Sequence, residues 1–260
     1  MRLPMHEQPR GHCPRQRRLI SAAFALSLAL LGVGATGAGT TPKPATVATY
    51  PRLDHLPDPI VSQIVNDDLE RREHADRREQ LECGESLVDY RSDVTSKAER
   101  AELVASAWVE TVTMTYLSAR LLSLRIAVEA YCGGTHPDTL IDGLTYDLKN
   151  GRAIDWAQAL KPGVLSADDR VGELTRAYRP RHSASREVKH GPDSCWDFVM
   201  IDDPFSTSPR IWIEQAGIFV SPKGLPQAFD VCAEPVRFSL REFAEWLRDP
   251  GLAADFTRRP

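Results

Sequence analysis

The chain has 260 residues, with 32 Lys and Arg against 36 Asp and Glu. That length exceeds one small module and falls short of two large domains. Residues 1–38 carry five Arg and one Glu, so the remainder holds 27 basic and 35 acidic residues, a net charge of −8. This excludes nucleic acid as a partner for the surface as a whole and favours a cationic one.

Arg15, Arg17 and Arg18 lead into the uncharged apolar run 19–33, and residues 34–41 are small. This is the pattern of a secretory signal peptide over 1–38, with small residues ahead of a cut at Val33-Gly34-Ala35 or Thr36-Gly37-Ala38. The alternative is an uncleaved anchor, since a span needs about 20 mainly apolar residues. In that case alone would the chain contact a membrane. Either way it is expected in the periplasm or secreted. Cys13 lies in the leader, and Cys83, Cys132, Cys195 and Cys232 remain. An even number in an exported chain points to disulfides. Four cysteines allow three pairings, of which the sequential one, Cys83–Cys132 with Cys195–Cys232, is favoured. No C-x-x-C or H-x-x-x-H spacing suggests zinc.

Residues 39–57 contain four Pro and read as a linker. Asp58-Pro59 supplies an N-cap and an N1 proline, and Val61, Ile64, Val65 and Leu69 follow at helical spacing. The same helix continues through Glu70-Arg71-Arg72-Glu73 and Asp76-Arg77-Arg78-Glu79, a solvated face of i,i+4 pairs. Trp108, Val112, Met114 and Tyr116 then alternate with Thr111, Thr113 and Thr115. Leu122, Leu124, Ile126, Val128 and Ala130 alternate with Ser123, Arg125, Ala127 and Glu129. Two period-two runs across a short connection predict an antiparallel hairpin with one apolar and one wet face.

The second strand runs into Tyr131-Cys132-Gly133-Gly134-Thr135-His136-Pro137. Leu144, Tyr146 and Leu148 mark a third strand, and Asn150-Gly151 predicts a type I′ turn into Ala153-Ile154-Asp155-Trp156. Ser166 is expected to cap a short helix bearing Val171, Leu174 and Tyr178. Residues 176–190 read as a basic, breaker-rich loop with Arg176, Arg179, Arg181, Arg186 and Lys189. A second hairpin is expected over 211–220, interrupted at Gln215-Ala216-Gly217, and a short strand over 236–238. Ser239-Leu240-Arg241-Glu242 is a capping box. Its helix buries Leu240, Phe243, Ala244 and Leu247 and stops before Pro250-Gly251. The pattern predicts an α+β domain over 58–255, an antiparallel sheet flanked by helices.

The run 121–156 resembles the RsiV-type envelope domain of unknown function, found in lysozyme-sensing anti-sigma factor ectodomains and beside peptidoglycan deacetylase modules. Tyr131, Gly133, Gly134, His136, Tyr146, Asp147, Leu148 and Gly151 fill its Tyr, Gly-Gly-x-His and Tyr-Asp-Leu-x-x-Gly positions. Gly217-Ile218-Phe219-Val220 and Val236-Arg237-Phe238-Ser239-Leu240 fit its tail. The similarity covers roughly residues 58–252. It implies export and an interaction role, with lysozyme-like hydrolases as a partner class, and supplies no catalytic set. The chain departs from the anti-sigma members in lacking a sigma-binding domain ahead of a span, and it carries no deacetylase module.

Candidate binding residues are Gly133, Gly134 and His136, with Arg179 and Arg181 in the basic segment. His136 beside Asp138 and Asp142 is a possible ligand or metal contact, set against a role in locking its own turn. No G-x-S-x-G elbow occurs, and carboxylate pairs such as Asp168-Asp169, Asp202-Asp203 and Glu242-Glu245 are too common here to point to glycan cleavage. Trp156, Trp196 and Trp212 read as core aromatics. No cofactor is expected. The leading reading is a non-enzymatic envelope domain binding a cationic protein or a peptidoglycan-type glycan. The rival is a metal-dependent envelope hydrolase or deacetylase.

Overall fold

The computed structural model describes residues 48–54, 56–134, 137–165, 171–185, 205, 209–223 and 233–257. The leader, Ser166, Cys195, Trp196, Cys232 and the candidate His136 lie outside them, as do Asp168-Asp169 and Asp202-Asp203. The α+β reading holds, with two antiparallel sheets rather than one.

Helix α1 spans Pro59–Tyr90, and the Asp58 carboxylate accepts from the Ile60 and Val61 N–H groups, as the Asp-Pro pair predicts. It runs further than the apolar spacing indicated. Asp68–Arg72 and Glu73–Arg77 pair along it at i,i+4. Helix α2 follows over Lys97–Ser106, capped by Ser96.

Strands β1 (Trp108–Leu117), β2 (Leu121–Ala130), β3 (Asp138–Asp147) and β4 (Arg152–Ala153) form the first sheet in sequence order. One face packs on α1: Val61, Val65 and Leu69 meet Leu122, Leu124, Leu144 and Tyr146. Tyr50 and Leu53, in the segment read as linker, are buried in the same cluster. The β1–β2 register shifts between Met114 and Tyr116. That bulge turns Tyr116 away from the face of Trp108 and Val112, where simple alternation had placed it, and onto the core beneath the second sheet. The Asn150-Gly151 turn also differs from expectation. Pairing closes at Asp147↔Arg152, leaving a four-residue loop, 148–151, in place of a two-residue type I′ turn. The wider loop lets Leu148 enter the core while the Asp147 carboxylate accepts from the Lys149 N–H.

After α3 (Trp156–Ala159) comes α4 (Glu173–Ser185), the helix expected at Leu174 and Tyr178, which continues through residues read as a loop. Pro180 sits inside this helix. Leu174, Tyr178 and His182 recur at a spacing of four and are all buried, and this stripe outweighs the missing proline N–H. The second sheet is β5 (Arg210–Glu214), β6 (Gly217–Ser221) and β7 (Val236–Phe238), as the pattern indicated. Ser239 caps α5 (Leu240–Ala244), accepting from the Glu242 N–H. Helix α5 stops before Pro250, as expected, and Pro250 then opens a further helix, α6 (Pro250–Thr257), with Asp249 accepting from the Gly251 N–H.

The face of the first sheet read as wet is covered near Ser123. Among the described residues strand β5 pairs with β6 on one side and with no strand on the other. The Ile213 N–H donates to Ser123 Oγ (2.9 Å), and Thr115 Oγ1 donates to the Ile213 carbonyl (2.6 Å). Ser123 and Thr145 hydroxyls bond each other at 3.0 Å. Gly143 makes the approach possible: a Cβ there would lie 2.2 Å from the Ile211 carbonyl oxygen. The alternating Ser and Thr thus serve a buried polar seam.

Candidate binding surface

The Gly-Gly segment follows β2 at the end of the sheet nearest the C-terminal turns of α1. Tyr131 remains tied to the fold, its N–H donating to the Ala107 carbonyl at 2.7 Å. Cys132 is bonded to Cys83 of α1, with Cα atoms 4.4 Å apart. This is one of the two expected pairs; the other falls outside the described residues. Cys83, Leu87, Ala107, Val128 and Ala130 form a small buried cluster around it.

Gly133 and Gly134 both have positive φ, 97° and 112°, a conformation that side chains strain. Gly133 also abuts α1, since a Cβ there would lie 2.9 Å from Tyr90 Cβ. Gly134 has open space around it, and its carbonyl accepts from the Tyr131 hydroxyl at 2.9 Å. The Tyr90 ring, at the end of α1, is 58% exposed, and Leu81 two turns earlier is 55% exposed. Sequence reasoning passed over both, because they sit in a helix whose visible signal was charge. On the same turns Glu82, Glu85 and Asp89 are exposed, with no side-chain hydrogen bond or ion pair among the described residues. Lys97 and Arg100 of α2 line a groove together with Glu85 and Asp89, so this surface carries both signs beside the exposed aromatic ring, and the disulfide ties it to the Gly-Gly loop.

Asp138 and Asp142 both lie in β3. At about 3.4 Å per residue a strand sets them roughly 14 Å apart, too far to flank one imidazole. Asp142 accepts from the Gly143 N–H and faces Lys223 at 3.9 Å. Among the described residues no three His, Cys, Asp or Glu groups are placed to share a metal.

Arg181 is engaged inside the fold. It donates to Glu242 Oε1 (2.7 Å) and to the Ala177 carbonyl, and its guanidinium lies 4.7 Å from the Phe238 ring centre. Glu242 is thereby occupied by a structural ion pair. Arg179 is exposed on α4. Helix α4 belongs to the core under the second sheet, whereas the Gly-Gly loop belongs to the disulfide cluster, so these candidates sit on different parts of the fold. Trp156 and Trp212 are core residues, Trp156 edge-on to Phe243 and Trp212 stacked on Phe219.

A separate group of charges lies between α1, β1 and the chain before α1. Tyr146 donates to Asp68 at 2.6 Å, and Arg71 and Arg72 flank that carboxylate at 2.9 Å each. Burial works to raise the Asp68 carboxyl, but the Tyr146 hydroxyl and Arg72 outweigh it and hold it below the ordinary value. Two turns on, Tyr50 donates to Asp76 at 2.7 Å. The opposing group there is the Glu110 carboxyl, 3% exposed, whose Oε1 is 3.5 Å from the Tyr50 oxygen and whose Oε2 has no partner. Burial first, then the Asp76 carboxylate, pushes Glu110 up to about 7.

No family model matches the chain, and no curated protein matches it. Among solved structures it is similar to proteins of the DUF3298 family at low sequence identity. A DUF3298 family member from Bacteroides fragilis superposes with a TM-score of 0.47 at 12% identity, over 78% of this chain and 84% of that one. A DUF3298 family protein from Pseudomonas aeruginosa gives 0.39 at 13% identity, over 65% of this chain and 78% of that one.

Proposed function

We propose that the chain is an exported, non-catalytic envelope domain that binds a cationic protein of the lysozyme type through the disulfide-fixed end of α1. The observation that carries this reading is exposed Tyr90 beside Gly133, among Glu82, Glu85 and Asp89. Tyrosine is a common interface anchor, because it offers a large amphipathic area at little entropic cost. Acidic residues around it steer a basic partner and reject acidic ones. The bare Gly134 backbone, with open space around it, leaves room for a partner chain to come close. The resemblance of the Gly-Gly-x-His segment to RsiV-type domains supports the same partner class. The net charge of −8 outside the leader suits it as well.

The test is titration of the purified chain with a cationic lysozyme at low and high salt. Binding that weakens with salt, and falls at least tenfold in both Tyr90→Ala and a Glu85→Lys/Asp89→Lys variant, supports the reading. Absence of binding at micromolar concentrations removes it. Binding of soluble muropeptides at the same surface, with lysozyme inert, replaces the protein partner with a glycan.

A further inference from the structure

Residues 50–53 form a strap across α1, held by buried Tyr50 and Leu53 and by a set of polar contacts. The Leu53 N–H donates to Asn66 Oδ1 (2.8 Å), and Asn66 Nδ2 donates back to the Leu53 carbonyl (3.2 Å). Arg52 donates to its own strap at the Tyr50 carbonyl and to buried Glu73 on α1, each at 2.9 Å. Tyr50 enters the core, and its hydroxyl ends between Asp76 of α1 and Glu110 of β1.

The two tyrosine–aspartate pairs along α1 differ in one respect. Asp68, held by Tyr146, has Arg71 and Arg72 to balance it. Asp76, held by Tyr50, faces a second carboxyl group instead. The Tyr50 hydroxyl has one proton, and the 2.7 Å contact commits it to Asp76. A protonated Glu110 can donate to the phenol oxygen and complete the chain Glu110–Tyr50–Asp76. An ionised Glu110 has nothing to donate, receives nothing from Tyr50, and sits as a buried charge beside a like charge.

The other charged groups near Glu110 do not relieve this. Glu73 is shared by Arg52 and Arg77, and Arg72 is bound to Asp68. The residue paired with Glu110 on β2 is Val128, between Ile126 and Ala130 on the same face. The Trp108 indole N–H, buried and without a hydrogen-bond partner, favours the charged form of Glu110, but burial and the Asp76 carboxylate outweigh it.

We propose that the strap is a pH-sensitive latch, closed on the body while Glu110 holds a proton and released when Glu110 ionises. Release withdraws Tyr50 and Leu53 from the α1–sheet core. It occurs on the neutral-to-alkaline side, because burial and Asp76 keep the proton on Glu110 up to about 7. The latch does not depend on the partner proposed above.

The experiment is amide hydrogen exchange on the folded chain, comparing protection factors of Leu53 on the strap and Val65 inside α1 at pH 5.5 and 8.5. The expected result is at least a tenfold fall for Leu53 on going to pH 8.5, with Val65 unchanged. Glu110→Gln, neutral and still able to donate, should abolish the fall. Should that variant not fold, Asp76→Asn gives the same reading, since Tyr50 is then free to donate to ionised Glu110 and the strap stays closed at pH 8.5. Equal Leu53 protection at both pH values overturns the proposal. So does a fall that persists in the substituted chain, or one shared equally by Val65.

Discussion

Arg120 and Asp255 are joined by a 3.0 Å ion pair across 135 residues of sequence, linking the β1–β2 turn to the C-terminal helix α6. The same guanidinium holds Asp147 through Nε and Nη2, and reaches Asp249 at 2.8 Å. Hydrogen bonding to Asp147, ahead of the cost of burial, holds the Arg120 pKa well above its ordinary value. One side chain thereby ties the turn of the first hairpin to the end of β3 and the start of α6. Arg120→Ala would leave three carboxylates facing one another and should cost about 2–3 kcal/mol in urea unfolding. Arg120→Lys should recover less than half of that, because an ammonium cannot hold Asp147 through two parallel bonds. Full recovery by Lys would show that charge alone matters here.

Ser123→Ala should be costly for so small a change. It leaves the Ile213 N–H without its acceptor in a buried seam, a penalty of about 1–3 kcal/mol. Gly143→Ala forces a methyl onto the Ile211 carbonyl and should cost a similar amount or more. Thermal or urea denaturation checks both. If either variant matches the parent in stability, the two sheets do not meet as described.

The Cys83–Cys132 bond closes a loop with a sequence separation of 49 residues. Loop-closure entropy at that length gives about 4 kcal/mol. A Cys83→Ser/Cys132→Ser chain should lose most of that in urea unfolding, and the Tyr90 surface should become more accessible to protease. A loss below about 1 kcal/mol would mean that the cluster of Leu87, Val128 and Ala130 holds this end unaided.

Stability should also depend on pH with a definite sign. Glu110 keeps its proton to about 7 in the folded chain, whereas its ordinary value is 4.5. The folded state therefore binds more protons than the unfolded state across that interval. This contribution is fully present below about 4.5 and is lost as pH rises through about 7. Asp68 and Glu73 act oppositely, because their depressed values contribute stability at neutral pH that is lost in acid. Glu110→Gln should flatten the alkaline limb of urea midpoints taken between about pH 2.5 and 8 and leave the acid limb in place. An unchanged alkaline limb would assign it to another group.

Much of the fold was legible because its signals are local. The Asp58 and Ser239 caps, the period-two runs of β1 and β2, and the 211–220 hairpin each follow from a few adjacent residues. The misreadings share a physical cause, in which a distant contact overrides a local preference. Pro180 lies in a helix because Leu174, Tyr178 and His182 are drawn into one core. Helix α6, left unread beyond Pro250, is held in place by Arg120. Tyr116 changes face at a bulge that alternation cannot reveal.

The candidate binding surface was half legible. The Gly-Gly segment stood out through glycines that need positive φ. Tyr90 and Leu81 did not, because an exposed apolar residue in a charged helix leaves no pattern. Nothing in the local sequence separated Arg181 from Arg179. Glu242, 61 residues further on, decides that Arg181 serves the fold.

The seam at Ser123 and Thr115 has a bearing on self-association. A strand with one unpaired edge is a template for strands of other molecules, and natural proteins guard such edges with charges, prolines or bulges. At Ile213 the open edge of β5 is occupied by hydroxyl groups from its own chain, which take the donor and acceptor an incoming strand would need. Two short side chains thus close an aggregation-prone border from within, and their loss should show as oligomers at concentrations where the intact chain stays dispersed.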